Sequence, residues 1–494
     1  MSSKTAQARL SQVEGSFKPS SESIYSTEPS ADHAPYPYPV PNSLTPYWRT
    51  ELHPLDSART TPDLPAETDI LIIGAGYSGA STAYHLLKDN PNPPRITILE
   101  AREACSGATG RNGRRQKKVD AGRTGGHLKP DVYFQVPKYT ALFGAEAADE
   151  LAAFEASQVL AVKELVEREG IDCDFALTRA VDVCLDADHA AKCKSEFAEL
   201  QAQGRPSVRD VFFSEGATAE IISGVKGAKC AFTFTAGHVW PYKLVMHLLA
   251  MGVARGVNLQ THTPVTSVSE ARDSSGWWSV NTPRGQVRAK QLVYCTNAYT
   301  AGVAPQYRDK IIPVKGICSR LKVPPGAACP HLPNTYSLRY APGIYDYQIT
   351  RTDGSIVIGG AKQWFWHDRS HWYGVTDDAS LIEPAKQHFP GFMQRNYRGW
   401  ENSGAELDSL WTGIMGYTAD MMPHIGEVPS KPGQFVMAGF NGHGMPLIFL
   451  SSKGLAKMLL DGVPFEQTGI PRLFKTTAER VASNENLILN SKPQ

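Results

Sequence analysis

No apolar run in this chain approaches the ~20 residues needed to span a bilayer, so no membrane partner is expected. Nor is there an excess of charge of either sign: 50 Lys and Arg stand against 49 Asp and Glu. That balance gives no footing for a nucleic-acid partner. The eight cysteines are scattered, with no CxxC pair and no ladder of spacings. They read as reduced, buried, small apolar residues, and no metal site is expected. The chain does not open with a charged stretch followed by an apolar core, so no secretory signal is expected. Its Ser-rich start carries Glu14 and Glu22, against a transit peptide, and it closes on SKPQ rather than a peroxisomal SKL. Cytoplasm is the expected location. No internal repeat is visible.

What is present is length enough for two domains, 494 residues, and one strongly patterned segment, Asp69 to Glu100. An apolar strand (Ile70 to Ile73) enters a turn with Gly74, Gly76 and Gly79. A helix follows, opening at Tyr77 and Ser78, and a second strand (Ile96 to Leu99) ends in Glu100 and Ala101. In this arrangement Gly74 permits the turn, Gly76 lets backbone approach a pyrophosphate, and Gly79 permits close helix–strand packing. The helix N-terminus offers N–H groups to phosphate, and Glu100 is placed to accept ribose hydroxyls. A dinucleotide-binding βαβ unit is expected.

Two further stretches carry chemistry. In EACSGATGRNG, small residues leave room for a flat ligand; Ser106 and Thr109 can donate to it, and Arg111 and Asn112 follow. In FVMAGFNGHGMP, a strand ending at Ala438 enters a turn through Asn441, Gly442, His443, Gly444 and Met445, and a helix begins near Pro446. A helix N-terminus there favours negative charge. Upstream, WTGIMGYTADMMPHIG contributes Gly416 in a glycine and aromatic stretch that can border a ring system.

The expected fold class is α/β (α+β): a discontinuous Rossmann-like FAD-binding domain with a mostly antiparallel sheet substrate domain. Residues 1–45 read as a disordered or extended arm. Residues 46–170, 229–305 and 405–475 are assigned to the nucleotide domain, 171–228 and 306–404 to the substrate domain, and 476–494 to a tail. The stretch 139–169 has helical spacing of apolar residues. Two other functions share the βαβ signature: a nicotinamide-dependent dehydrogenase, and a catalytically impaired flavin-fold protein.

Taken jointly, IIGAGYSGASTAYHL, LEAREACSGATGRNG, TAGHVWPYKL, TNAYTAGVAP, SIVIGG, WTGIMGYTADMMPHIG and GFNGHG resemble the D-amino-acid-oxidase-type family of FAD-dependent oxidoreductases, and within it a gamma-glutamylputrescine oxidoreductase-like branch. The resemblance implies FAD as cofactor and a small-molecule amine or amino acid as substrate. It implies oxidation of a C–N bond by hydride transfer to flavin N5, with O2 or another electron acceptor closing the cycle. By position it places the Val265 backbone at the adenine, and His238 and Trp240 on the substrate side of the flavin. Tyr347 and Arg351 fall where amino-acid-oxidising members hold a carboxylate, an ion that an Arg fork suits.

Three departures from the pattern matter. Met415 stands where members with covalent flavin carry a cysteine, which implies non-covalent FAD. Val357 stands where some oxidases carry an oxygen-activating lysine, though Lys362 is near. Between Gly113 and Gly126 the pattern RNGGHLKP is interrupted by RRQKKVDAGRTG, five basic residues and one acid without apolar period. That block reads either as a polar loop or as coding sequence retained by splicing.

Overall fold

A computed structural model describes residues 37–111, 126–351 and 353–490. Of the expected arm, residues 37–45 are described and the rest lies outside, as do Asn112 and the block 114–125.

The strand Glu67–Ile73 is buried on both faces, as the centre of a covered parallel sheet requires. Ile70 and Ile72 pack in one apolar cluster with Ala80, Ala83, Leu248 and Leu455, which belong to helices Tyr77–Leu87, Pro241–Ala254 and Ile448–Asp461. Leu71 and Ile73, pointing the other way, join Trp278, Val280, Val287 and Leu292. The strand pairs in parallel with Ile96–Leu99 on one side and Gly285–Tyr294 on the other. The sheet continues through Asn258–Gln260 at one end, and through Gln434–Ala438 and His424–Glu427 at the other. The short strands Ser267–Val268 and Trp278–Thr282 extend it as an antiparallel flap.

Among the described residues the second sheet has nine strands. In spatial order they are Glu406–Thr418, Ile311–Lys322, Ile356–Gly359, Ile344–Thr350, Thr335–Ala341, Ala176–Cys184, Cys230–His238 and His127–Leu128, with Phe212–Glu215 also paired to Cys230–His238. All pairings are antiparallel except Thr335–Ala341 with Ala176–Cys184. The two-sheet α/β architecture agrees with the sequence reading. Its domain boundaries shift, however: Cys230–His238, Glu406–Thr418 and His127–Leu128 hydrogen-bond in the second sheet, not the first. The chain crosses between sheets more often than composition reveals, because a strand's apolar alternation does not say which sheet it joins. The 139–169 segment also divides, into Val136–Phe143 and Ala145–Glu169, at Gly144 with φ 86°.

Candidate active site

A single cavity of about 1210 Å³ runs from the parallel sheet to the second sheet. It exceeds the ~300–1,000 Å³ of usual small-ligand pockets, as a site for a dinucleotide and a substrate together would. Gly74, Gly76, Tyr77, Ser78, Glu100, Ala101, Thr109 and Val265 line one end.

Close approach explains two of the turn glycines. Gly74 has φ +110°, and a Cβ on Gly79 would stand 2.0 Å from the Gly74 carbonyl oxygen. Gly79 therefore packs the helix onto the turn and does not itself reach the cavity. Glu100 closes the turn from the opposite strand. Its carboxylate accepts from the Ala75 N–H at 2.9 Å and the Arg102 N–H at 3.0 Å, while the residue still lines the cavity.

The C-terminal turn closes the middle. Asn441, Gly442, His443, Gly444 and Met445 line the cavity ahead of helix Ile448–Asp461. Asn441 fixes the turn: its N–H donates to the Gly416 carbonyl at 2.8 Å, and its side-chain oxygen accepts from the Thr418 N–H at 2.7 Å. Gly416 thus supports the turn from outside the cavity. His443 meets Glu155 at 2.7 Å. Burial alone would lower its pKa, but the Glu155 charge and hydrogen bond raise it above the ordinary value.

Arg111 reaches the cavity wall, yet its guanidinium is committed elsewhere. It pairs with the buried Asp378 at 2.8 Å and donates to the carbonyls of Ser106 (2.8 Å), Leu44 (2.9 Å) and Thr412 (3.1 Å). Ser106 itself is buried outside the cavity lining, and among the described residues its hydroxyl has no protein partner.

The second sheet supplies the remaining wall. Tyr345, Tyr347 and Ile349, alternate residues of one strand, all line it. The Tyr347 hydroxyl lies 3.0 Å from the Cys318 sulfur, and its ring meets His127 edge-on at 5.4 Å. Among the described residues, both ring nitrogens of His127 lack a protein partner. Burial, then the nearby Lys129 and His238, push its pKa down to about 3, so the imidazole is neutral. Lys129 and Arg339 both pair with the fully buried Asp182, at 2.5 and 2.8 Å.

His238, Trp240 and Arg351 are outside the cavity. The Arg351 guanidinium sits over the rings of Tyr47 at 4.3 Å, Trp240 at 5.2 Å and Trp48 at 5.5 Å, and meets Asp353 at 3.3 Å. His238 is buried near it; burial, then that positive charge, lower its pKa to about 4. Of the expected substrate-side residues only Tyr347 faces the cavity. His127, Lys129, Tyr345 and Lys362 were not among them, although HLKP and SIVIGGAK held the signal.

A family model described as FAD dependent oxidoreductase matches residues 69–458. The chain belongs to that family. It is 22% identical over 399 residues to the gamma-glutamylputrescine oxidoreductase of Escherichia coli, covering 79% of this chain and 83% of that protein. It is likewise 22% identical over 385 residues to the glycine oxidase of Bacillus subtilis, covering 77% and 89%. Among solved structures, glycine oxidase from Geobacillus kaustophilus superposes with a TM-score of 0.62 at 21% identity, over 84% of this chain and 96% of that one. L-amino acid deaminase from Proteus vulgaris does so with a TM-score of 0.61 at 17% identity, over 84% and 98%. These superpositions speak to the fold.

The family implies FAD, and the chain's own geometry fits it. Gly74, Gly76, Tyr77, Ser78, Glu100, Val265 and the Asn441–Met445 turn line one continuous cavity. Among the described residues no helix is long and apolar enough to cross a membrane. One His/Cys cluster with metal-ligand spacing does occur, Cys184, His189 and Cys193, all buried.

Proposed function

We propose that this FAD-dependent oxidoreductase oxidises a C–N bond of a small amine or amino acid. The observation that carries the reading is the single cavity joining the dinucleotide turn, the Asn441–Met445 turn and the Tyr347 face of the second sheet. FAD, when bound, would supply the two-electron acceptor chemistry for removing hydride from the carbon beside that nitrogen, and water would hydrolyse the imine product.

The protein's own work is binding, orientation and electrostatics. Gly76, Tyr77 and Ser78 would hold the pyrophosphate, Glu100 and Ala101 the ribose, and the Val265 backbone the adenine. The Asn441–Met445 turn would sit at the ring system, its helix N-terminus favouring negative charge. Met415 stands beside Gly442 of this turn, and a thioether forms no link of the cysteine kind, which supports a non-covalently held cofactor. Neutral His127 and the Tyr347 hydroxyl would orient the substrate nitrogen. O2 or another electron acceptor would close the cycle.

The test is a visible spectrum of the purified protein, followed by anaerobic titration with amines, N-methyl amino acids and D-amino acids. Flavin bands that bleach with a member of that panel support the reading. A colourless protein, or flavin that no amine or amino acid bleaches, overturns it.

A further inference from the structure

The cations lining the cavity are not equivalent. Lys129 and Arg339 are taken by Asp182, Arg102 and Arg111 by Asp378, and Lys315 by Ser380 at 2.9 Å and Asp377 at 3.7 Å. Lys192 lies 3.9 Å from Glu196, and Lys138 is exposed. Lys362 differs: among the described residues no carboxylate pairs with it. It instead lies over the Trp366 ring at 4.4 Å and the Tyr345 ring at 5.6 Å, and all three line the cavity.

The position is built. Trp366 stacks on Trp372 at 3.6 Å with an interplanar angle of 7°, and the Trp372 indole N–H donates to the Trp366 carbonyl at 3.0 Å. Ala361, just before the lysine, has φ 60°, a left-handed conformation costly for a residue with a Cβ. Its N–H donates to the buried Asp346 carboxylate at 2.8 Å, whose other oxygen meets His388 at 2.7 Å. A strained backbone held this firmly presents the lysine at one place on the wall.

We infer that Lys362 anchors an anionic group of the substrate, a carboxylate, against the Trp366 and Tyr345 rings. The enzyme then takes amino acids or carboxylate-bearing amine conjugates over plain polyamines, whose ammonium groups the lysine repels. The inference rests on the proposed C–N oxidation and names its substrate class. Burial alone lowers the amine to about 8, so it still carries charge near neutrality and gains from an incoming anion.

The experiment uses the flavin-loaded parent, Lys362→Met and Lys362→Arg. Benzoate, a carboxylate with no oxidisable amine, is titrated against the flavin spectrum, and KM and kcat are measured for every compound that bleaches the parent. The expected result is at least about tenfold weaker benzoate binding and a similarly raised KM in Lys362→Met. Flavin content should be unchanged, kcat nearly so, and affinity largely restored in Lys362→Arg. Equal benzoate affinity and KM in parent and Lys362→Met overturn the inference while leaving C–N oxidation standing. So does a parent bleached only by amines without a carboxylate. Slowed reoxidation by oxygen with unchanged benzoate binding also overturns it, giving the lysine to the other half-reaction. A parent bleached by nothing in the panel removes the underlying reading instead.

Discussion

Arg111 and Asp378 form a buried ion pair at 2.8 Å, joining the loop after the second parallel strand to the chain leading into the second sheet's helical cover. The same carboxylate takes Arg102 through two hydrogen bonds of 3.0 and 3.1 Å. One fully buried acid therefore holds two cations that flank the expected flavin loop. Asp378→Asn keeps the shape and removes the charge. It should destabilise the fold by about 3–5 kcal/mol, because two guanidinium groups lose their counter-ion in a dry site. Thermal unfolding and flavin absorbance per protein check this, and both should fall. An unchanged melting temperature would show that the carbonyl acceptors alone satisfy the arginines.

Glu100 has two tasks that one substitution separates poorly. It pins Ala75 and Arg102 through their N–H groups, and the residue also lines the cavity. Glu100→Ala should lose ribose contacts each worth roughly 1.5–3 kcal/mol, so FAD affinity falls sharply while the fold survives. Fluorescence titration of FAD into the stripped protein measures it. Equal affinity in the mutant would remove Glu100 from the cofactor site.

Arg351 is the case where position in a motif and position in space part. Its guanidinium lies in a box of Tyr47, Trp48 and Trp240 and meets Asp353, outside the cavity. Arg351→Ala should therefore cost about 2–3 kcal/mol of stability. KM per bound flavin should stay the same for every substrate. A raised KM confined to carboxylate substrates, with the melting temperature intact, would return Arg351 to substrate recognition.

The reasons for success and failure are physical. The βαβ unit and the Asn441–Met445 turn were legible because their requirements are local: a positive φ, a close helix, an acid at a strand end. Tyr347 was singled out by resemblance to the family pattern, and alternation along Ile344–Thr350 is what sets it on the cavity face with Tyr345 and Ile349. Arg351 would share that face if the strand continued, but the strand ends at Thr350. The chain then folds back, with the Gly354 N–H on the Arg351 carbonyl at 2.9 Å. The aromatic box also draws on Tyr47 and Trp48, some 300 residues earlier, and no local pattern announces such a partner. Lys362 was visible in GGAK, but its lack of a counter-ion is a property of the folded cavity.

The block 114–125 lies between two cavity-lining stretches: Thr109 and Arg111 precede it, His127 and Lys129 follow it. Deleting Arg114 to Gly125 restores an uninterrupted RNGGHLKP. Flavin content and turnover should both rise if the block only disrupts that wall. They should fall, or substrate preference change, if it is a purposeful loop. Equal spectra and kinetics in the two forms would make it neutral.

The His443–Glu155 pair gives the site a pH signature whose sign follows from linkage. The folded pKa of His443 is raised above the ordinary value of about 6.5, burial being outweighed by Glu155, with Asp131 assisting and Lys129 opposing. A group whose folded pKa is raised contributes fully below its unfolded pKa, and the contribution disappears as pH climbs through the folded value. His443→Gln removes the charge and retains an amide that can still reach the acid. The melting temperature of the parent should exceed that of His443→Gln most at mildly acid pH, and the gap should close as pH rises. Glu155→Gln should show the same trend, since either change dissolves the pair. A gap that is flat across about pH 5 to 9 would mean that His443 stays neutral and that the 2.7 Å contact is an ordinary hydrogen bond.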